Sequence, residues 1–195
     1  MNYIKKFINK NFGCIVIACT LFLVGVIIGT VFAVRLSPQE ADGLKTKLGT
    51  MTSAPALAGL SFGDILASGV ASHLRLVGAM ALGMLGKWLV PAAALIIAVN
   101  GYQLGFSVCF ISGNFGTKGI VLSLISSLIS YAFVLPVSVV LFCYVFRRVF
   151  FRGIRDIRYI WNMEAALVFV AAYSVLCVGS AVEGIILPLI IDLFF

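Results

Sequence analysis

The sequence predicts an all-α fold: a polytopic membrane helix bundle of about five transmembrane helices that forms a single membrane domain over residues 1–195. First, 62% of the residues are hydrophobic and 11% are charged, whereas soluble domains have roughly 45–50% and about 25%. Second, the apolar residues lie in long runs, as membrane spans require. Third, the basic residues behind the net charge of +7 cluster beside those runs. We therefore expect them to set the topology rather than to bind nucleic acid.

The first predicted span covers residues 12–34 and follows a basic N-terminal segment, 1–11, that contains Lys5, Lys6 and Lys10. At about 1.5 Å per residue this run is about 35 Å long as a helix. It is too long for the apolar region of a signal peptide, which has roughly 7–15 residues. The pattern predicts a retained transmembrane helix.

Residues 35–74 are the largest predicted extramembrane piece, and they are too few for an independent domain. Within them Phe62, Ile65, Leu66 and His73 recur at helical spacing. This pattern predicts an amphipathic helix near 60–73 that lies on the outer membrane surface. It is also the candidate surface for a partner outside the cell.

Residues 75–112 are predicted to form a hairpin of the second and third spans. The apolar run 76–86 is short, because about 20 residues are needed to cross the hydrocarbon, so the second span is expected to be short or re-entrant. Pro91 and nearby small residues suit a tight, broken hairpin. A single broken span over 74–100 is the four-span alternative.

The remaining predicted elements are a fourth span at 119–146, a basic loop at 147–161 and a fifth span at 162–195. Lys and Arg residues are enriched in cytoplasmic loops, and the loop is rich in arginine. This enrichment places the loop and the N-terminus in the cytoplasm and the C-terminus outside. The expected location is a cell membrane, in a multi-pass topology, with membrane lipids as partners.

The sequence lacks the residue patterns of membrane enzymes, so we expect no enzyme activity. His73 is the single histidine, which excludes a His-Glu-x-x-His zinc site. The aspartate pair of an intramembrane aspartyl protease is also missing. The five cysteines lie in apolar runs without metal-site spacing. No metal or other cofactor is expected.

Glu183 is the most informative polar residue, because a carboxylate inside an apolar run is costly unless it faces the protein interior. One interpretation is an ion or proton site, or a contact to a partner helix. The other is a structural hydrogen bond, to Asn100, Gln103 or a carbonyl freed by a proline. Pro188 is expected to break or kink the same helix, and Pro136 to kink the fourth span, where neighbouring serines could line a polar path.

Two pairs of glycines are spaced four residues apart, Gly25 with Gly29 and Gly101 with Gly105. Small residues at this spacing let membrane helices approach closely. They predict either packing within the chain or an interface with a partner helix or a second copy in a homo-oligomer.

Several segments together resemble one protein family. Residues 100–106, Asn-Gly-Tyr-Gln-Leu-Gly-Phe, resemble its Asn-Gly-x-x-x-Gly signature, and residues 116–119 resemble the turn that follows. Residues 126–136 resemble its proline-containing fourth span, and residues 181–188 resemble its terminal Glu and Pro pattern. The family is the stage II sporulation protein M group. Ser130-Tyr131 and Leu187-Pro188 depart from its pattern.

The resemblance implies a membrane platform in the mother-cell membrane during forespore engulfment. There it would localise two membrane-anchored peptidoglycan hydrolases, the stage II sporulation proteins D and P. The predicted function is therefore a non-enzymatic scaffold within a peptidoglycan-remodelling complex. The alternative is a transporter or channel subunit with Glu183 as its intramembrane polar site.

Overall fold

The computed structural model describes residues 2–52, 62–151 and 163–194, and all regular structure in them is helical, as predicted. The helices are α1 (Asn2–Val34), α2 (Pro38–Thr52), α3 (Phe62–Leu82), α4 (Val90–Phe151) and α5 (Met163–Phe194). Two short 3-10 turns, Gly83–Leu85 and Lys87–Leu89, join α3 to α4.

Five stretches are long and apolar enough to cross a membrane, which confirms the predicted multi-pass bundle. In chain order they are the first to fifth spans, Asn11–Val34, Leu66–Leu85, Lys87–Asn114, Ser127–Phe150 and Met163–Ile186.

Helix α4 carries both the third and the fourth span in one uninterrupted helical assignment. Tyr131 Oη nevertheless donates a hydrogen bond to the carbonyl of Asn100 at 3.0 Å. A straight helix would separate these residues by about 47 Å. The chain therefore reverses direction between the third and fourth spans. The side chains of 115–119 lie outside the described part.

The second span is longer than the predicted apolar run 76–86, because Leu66–Leu85 provides 20 residues that are long and apolar enough to cross a membrane. The helix expected on the membrane surface near 60–73 is the first half of α3, which continues into the span. Gly69 lies against Ser180 of the fifth span, and Tyr173 Oη of that span donates to Val70 O at 3.4 Å. One face of this stretch is half-buried against α5, because the small residue Gly69 allows α5 to approach it.

A tight turn at Gly86 separates the second span from the third, so the four-span alternative is wrong. The amide of Leu89 donates to Gly86 O at 3.0 Å. On either side of the turn, a Cβ added at Gly83 would lie 3.0 Å from the Cβ of Ala93. The two spans form a close hairpin.

The first and third spans run parallel in close backbone contact. A Cβ added at Gly25 would overlap the carbonyl of Ala98, and one at Gly29 would overlap that of Tyr102. Because both residue numbers rise together, the helices point the same way.

The same contact uses glycines from the third span. A Cβ at Gly101 would overlap the carbonyl of Phe22, and one at Gly105 would overlap that of Val26. All four glycines of the two predicted pairs therefore lie in one contact within the chain.

The fourth span runs antiparallel to the first. Arg147 Nη1 donates to Asn11 Oδ1 at 3.3 Å, whereas the rings of Phe22 and Tyr131 lie 6.1 Å apart. From the first contact to the second, the residue number rises along the first span and falls along the fourth, so the two spans run in opposite directions.

The fifth span is antiparallel to the fourth, as two contacts show. Ser130 meets Glu183, and Tyr144 packs edge-on to Phe169. The spans thus alternate in direction, and one end of the bundle, here named the basic end, carries Asn11, Lys87 and Arg147. That the basic end faces the cytoplasm remains a prediction.

Every span contributes to the buried core. Its fully buried side chains include Ala18, Met80, Ile97, Leu141 and Leu176, one from each span. Large apolar side chains also cover the outside, as expected where the solvent is lipid.

Helix α2, between the first two spans, begins with a reciprocal cap that the sequence analysis missed. Ser37 donates to Glu40 Oε2 from its hydroxyl at 2.7 Å and from its amide at 3.1 Å, while the Glu40 amide donates to Ser37 Oγ at 3.4 Å. Ser-Pro-Gln-Glu is a recognisable signal for this arrangement. The hydrogen bonds from Ser37 hold the pKa of the exposed Glu40 carboxyl below its ordinary value.

The close contact at Gly25 predicts that a larger residue there destabilises the fold. Gly25→Ala should lower the free energy of unfolding by about 1–3 kcal/mol, because the new methyl group overlaps the backbone of the third span. The measurement is reversible unfolding in mixed micelles, followed by circular dichroism.

Gly13→Ala is the matched control on the same helix, since nothing lies within 4 Å of a Cβ there. Its effect should stay within about 1 kcal/mol and be stabilising, because alanine favours helix. Equal losses in the two variants would contradict the close approach.

Candidate functional site

The candidate site centres on Glu183 in the fifth span. Its side chain is half-buried, and Ser130 Oγ of the fourth span donates to Glu183 Oε1 at 2.6 Å. This distance lies within the usual range of O–H···O hydrogen bonds, about 2.5–3.0 Å. This contact fastens two spans together inside the apolar part of the bundle.

Polar groups from two more spans gather at the same level. His73 of the second span and Tyr131 of the fourth both interact electrostatically with Glu183. Tyr131 Oη in turn donates to Asn100 O in the third span. We call these five residues, His73, Asn100, Ser130, Tyr131 and Glu183, the Glu183 cluster.

Sequence reasoning anticipated the cluster only in part. Asn100 belongs to it, but its backbone carbonyl makes the contact, and its Nδ2 is buried without a hydrogen-bond partner among the described residues. Gln103 is exposed. Ser130 was missed as the partner of Glu183, although a serine inside an apolar run was the available signal.

Neither proline interrupts its helix. Pro136 is an exposed residue inside α4. Two residues further on, Ser138 Oγ donates to Val134 O at 2.7 Å. Helix α5 continues past Pro188 to Phe194, so of the expected break or kink the break does not occur. The side chain of Pro188 lies outside the described part.

The predicted outer partner surface, Phe62, Ile65, Leu66 and His73, remains a prediction, and the structure describes the side chains of two of these residues. Leu66 and His73 are half-buried within the second span. Leu66 and His73 belong to α3, which packs against α5. The side chains of Phe62 and Ile65 lie outside the described part.

At the basic end a second set of contacts joins the first and fourth spans. Asn11, which is 3% exposed, accepts the hydrogen bond from Arg147. The side chains of Cys14 and Cys143 also interact across this contact. Within the described ranges no group of three or more His, Cys, Asp or Glu side chains could hold a metal ion.

A cavity of about 260 Å³ lies between the first, third and fourth spans. Its wall is mostly apolar, with Phe22, Ile97 and Val134 among the residues that line it, and Glu183 is not one of them. The cavity shares Asn100 and Tyr131 with the Glu183 cluster, but the carboxylate itself does not line it.

Removing the Ser130–Glu183 hydrogen bond tests whether it joins the spans. In a double-mutant cycle with Ser130→Ala and Glu183→Ala, the coupling free energy of unfolding should be roughly 0.6 kcal/mol and at most about 1.7 kcal/mol, as for other intramembrane hydrogen bonds.

The control pairs Glu183→Ala with Ser174→Ala, because Ser174 is exposed on the same helix and bonds only to Val170 O of its own turn among the contacts described. This cycle should show no coupling. Equal coupling in both cycles would refute a specific contact.

No family model matches the chain, and no curated protein or solved structure matches it. The resemblance to the stage II sporulation protein M family therefore rests on the sequence motifs alone.

Proposed function

We propose that this chain is a non-enzymatic membrane scaffold. The observation that carries the proposal is how its intramembrane polar groups are used. The Glu183 carboxylate is bonded to Ser130, and the Tyr131 hydroxyl to the backbone of the neighbouring span. Such hydrogen bonds hold helices together, and a platform for other proteins needs a bundle of fixed shape.

The lipid-facing side of the first span is the proposed docking face for a partner helix. Helix α1 packs against α4, and its opposite side is exposed, with Ile27 at 62% and Val31 at 47%. In a bilayer, a single-span partner packs against such a face by van der Waals contact.

The proposed partners are membrane-anchored peptidoglycan hydrolases, in the manner of the stage II sporulation proteins D and P. Under this proposal the chain resides in the mother-cell membrane and localises the hydrolases during engulfment. What supports this finer assignment is the set of motifs at 100–106, 126–136 and 181–188.

The second candidate is a transporter or channel subunit, and the Glu183 cluster favours it. An ionisable group inside a span is a common mark of an ion or proton path, and His73 lies within electrostatic reach of this one. Against it, the wall of the cavity is mostly apolar and Glu183 is not among the residues that line it.

Crosslinking in membranes of the native organism, followed by purification through a tag on the N-terminus, tests the scaffold. Wild-type protein should capture membrane-anchored peptidoglycan hydrolases. Ile27→Phe should reduce the capture, because it reshapes the docking face, whereas Val170→Phe on the fifth span should not, although Val170 is equally exposed at 61%.

Glu183→Gln separates the two candidates. The amide oxygen still accepts from Ser130, so a scaffold with this substitution keeps its partners, whereas an ion path through the carboxylate loses its flux in liposomes. Wild-type capture of no hydrolase, together with flux that Glu183→Gln abolishes, would overturn the scaffold proposal.

A further inference from the structure

The cavity between the first, third and fourth spans opens sideways. Cys19 and Leu23, which line it, are exposed on the outside of the first span, while Ile97 at its inner wall is 2% exposed. An occupant therefore enters from the flank of the bundle rather than from its ends.

The opening lies at the depth of the hydrocarbon. Cys19 and Leu23 follow Asn11, where the first span begins, by about 12 Å and about 18 Å along the helix. Since the hydrocarbon core is about 30 Å thick, the opening faces lipid tails rather than headgroups.

The polar groups of the wall are already engaged or covered. Tyr131 Oη donates to Asn100 O, and Ser138 Oγ donates to Val134 O. The side-chain Nδ2 of Asn100 is buried below the surface. A buried water needs two to four polar partners, and this wall offers an occupant almost only carbon atoms.

We propose that this cavity binds one acyl chain of a membrane phospholipid. An empty cavity would forfeit van der Waals contacts along its wall, and lipid tails are the apolar chains present at its opening. The bound chain touches three spans at once, beside the glycine contact. It is therefore held more firmly than a lipid that touches a single helix face, and it completes the packing of the first span.

Two neighbouring valines provide a matched test. Val139 lines the cavity, whereas Val140 is 43% exposed and does not line it. The larger side chain of Val139→Phe would fill the space that the acyl chain occupies. Val140→Phe adds the same atoms on the lipid-facing surface.

The measurement is native mass spectrometry of protein from vesicles of phosphatidylethanolamine and phosphatidylglycerol. At collision energies that strip loosely held lipids, wild type and Val140→Phe should retain one phospholipid, and Val139→Phe should lose it. Equal retention by the two variants, no retention by wild type, or a retained molecule that is not a phospholipid would each overturn the proposal.

A photocrosslinking experiment on the wild type does not depend on how Val139→Phe folds. A phospholipid with a diazirine in its acyl chain should label Ile97 or Val134 of the inner wall. Labels confined to outward residues such as Ile27 and Val170 would show that the acyl chain does not enter the cavity.

Discussion

The structure depends on one close backbone contact, that between the first and third spans. Lipid tails are as apolar as leucine, so helices in a bilayer gain little by hiding apolar side chains from them. The attraction between such helices comes mainly from van der Waals contacts, which act over short distances. Glycine allows the closest approach of two helix backbones because it has no side chain. Gly25 and Gly29 on one helix meet Gly101 and Gly105 on the other, so that each Cα faces a backbone carbonyl. This contact sets the two spans parallel.

The other spans follow from that arrangement. Because the first and third spans are parallel, the chain must reverse within α4 for the fourth span to run back beside the first. The reversal brings Arg147 to Asn11 at one end and Ser130 to Glu183 further along. The polar contacts thus join spans that the glycine contact has already oriented. They also explain how a carboxylate is accommodated inside an apolar helix.

Much of the fold could be predicted from the sequence, and much of the site could not. Long apolar runs and the positions of Lys87 and Arg147 were enough to predict five spans. The thickness of the hydrocarbon core sets the length of a spanning helix, and charged side chains lie outside that core. The length of the second span was underestimated because His73 and Arg75 lower its apolar character locally. Only the contacts with Ser180 and Tyr173 show that its first half packs against the fifth span. The partner of Glu183 was missed because the sequence does not show which helix faces meet. Which serine meets a carboxylate 53 residues away depends on helix rotation, and sequence spacing does not record rotation across a reversal.

The central claim is that α4 folds back so that the fourth span lies antiparallel to the first, and the natural cysteines test it directly. In a variant with Cys19, Cys109 and Cys177 changed to alanine, Cys14 and Cys143 remain. A short membrane-permeant thiol crosslinker, applied in membranes and read by peptide mass spectrometry, should join these two cysteines within one chain. If α4 were a straight rod, Cys143 would lie about 68 Å along the helix from Ala98, the residue that meets Gly25. Absence of the Cys14–Cys143 link, with both thiols reactive after denaturation, would contradict the account.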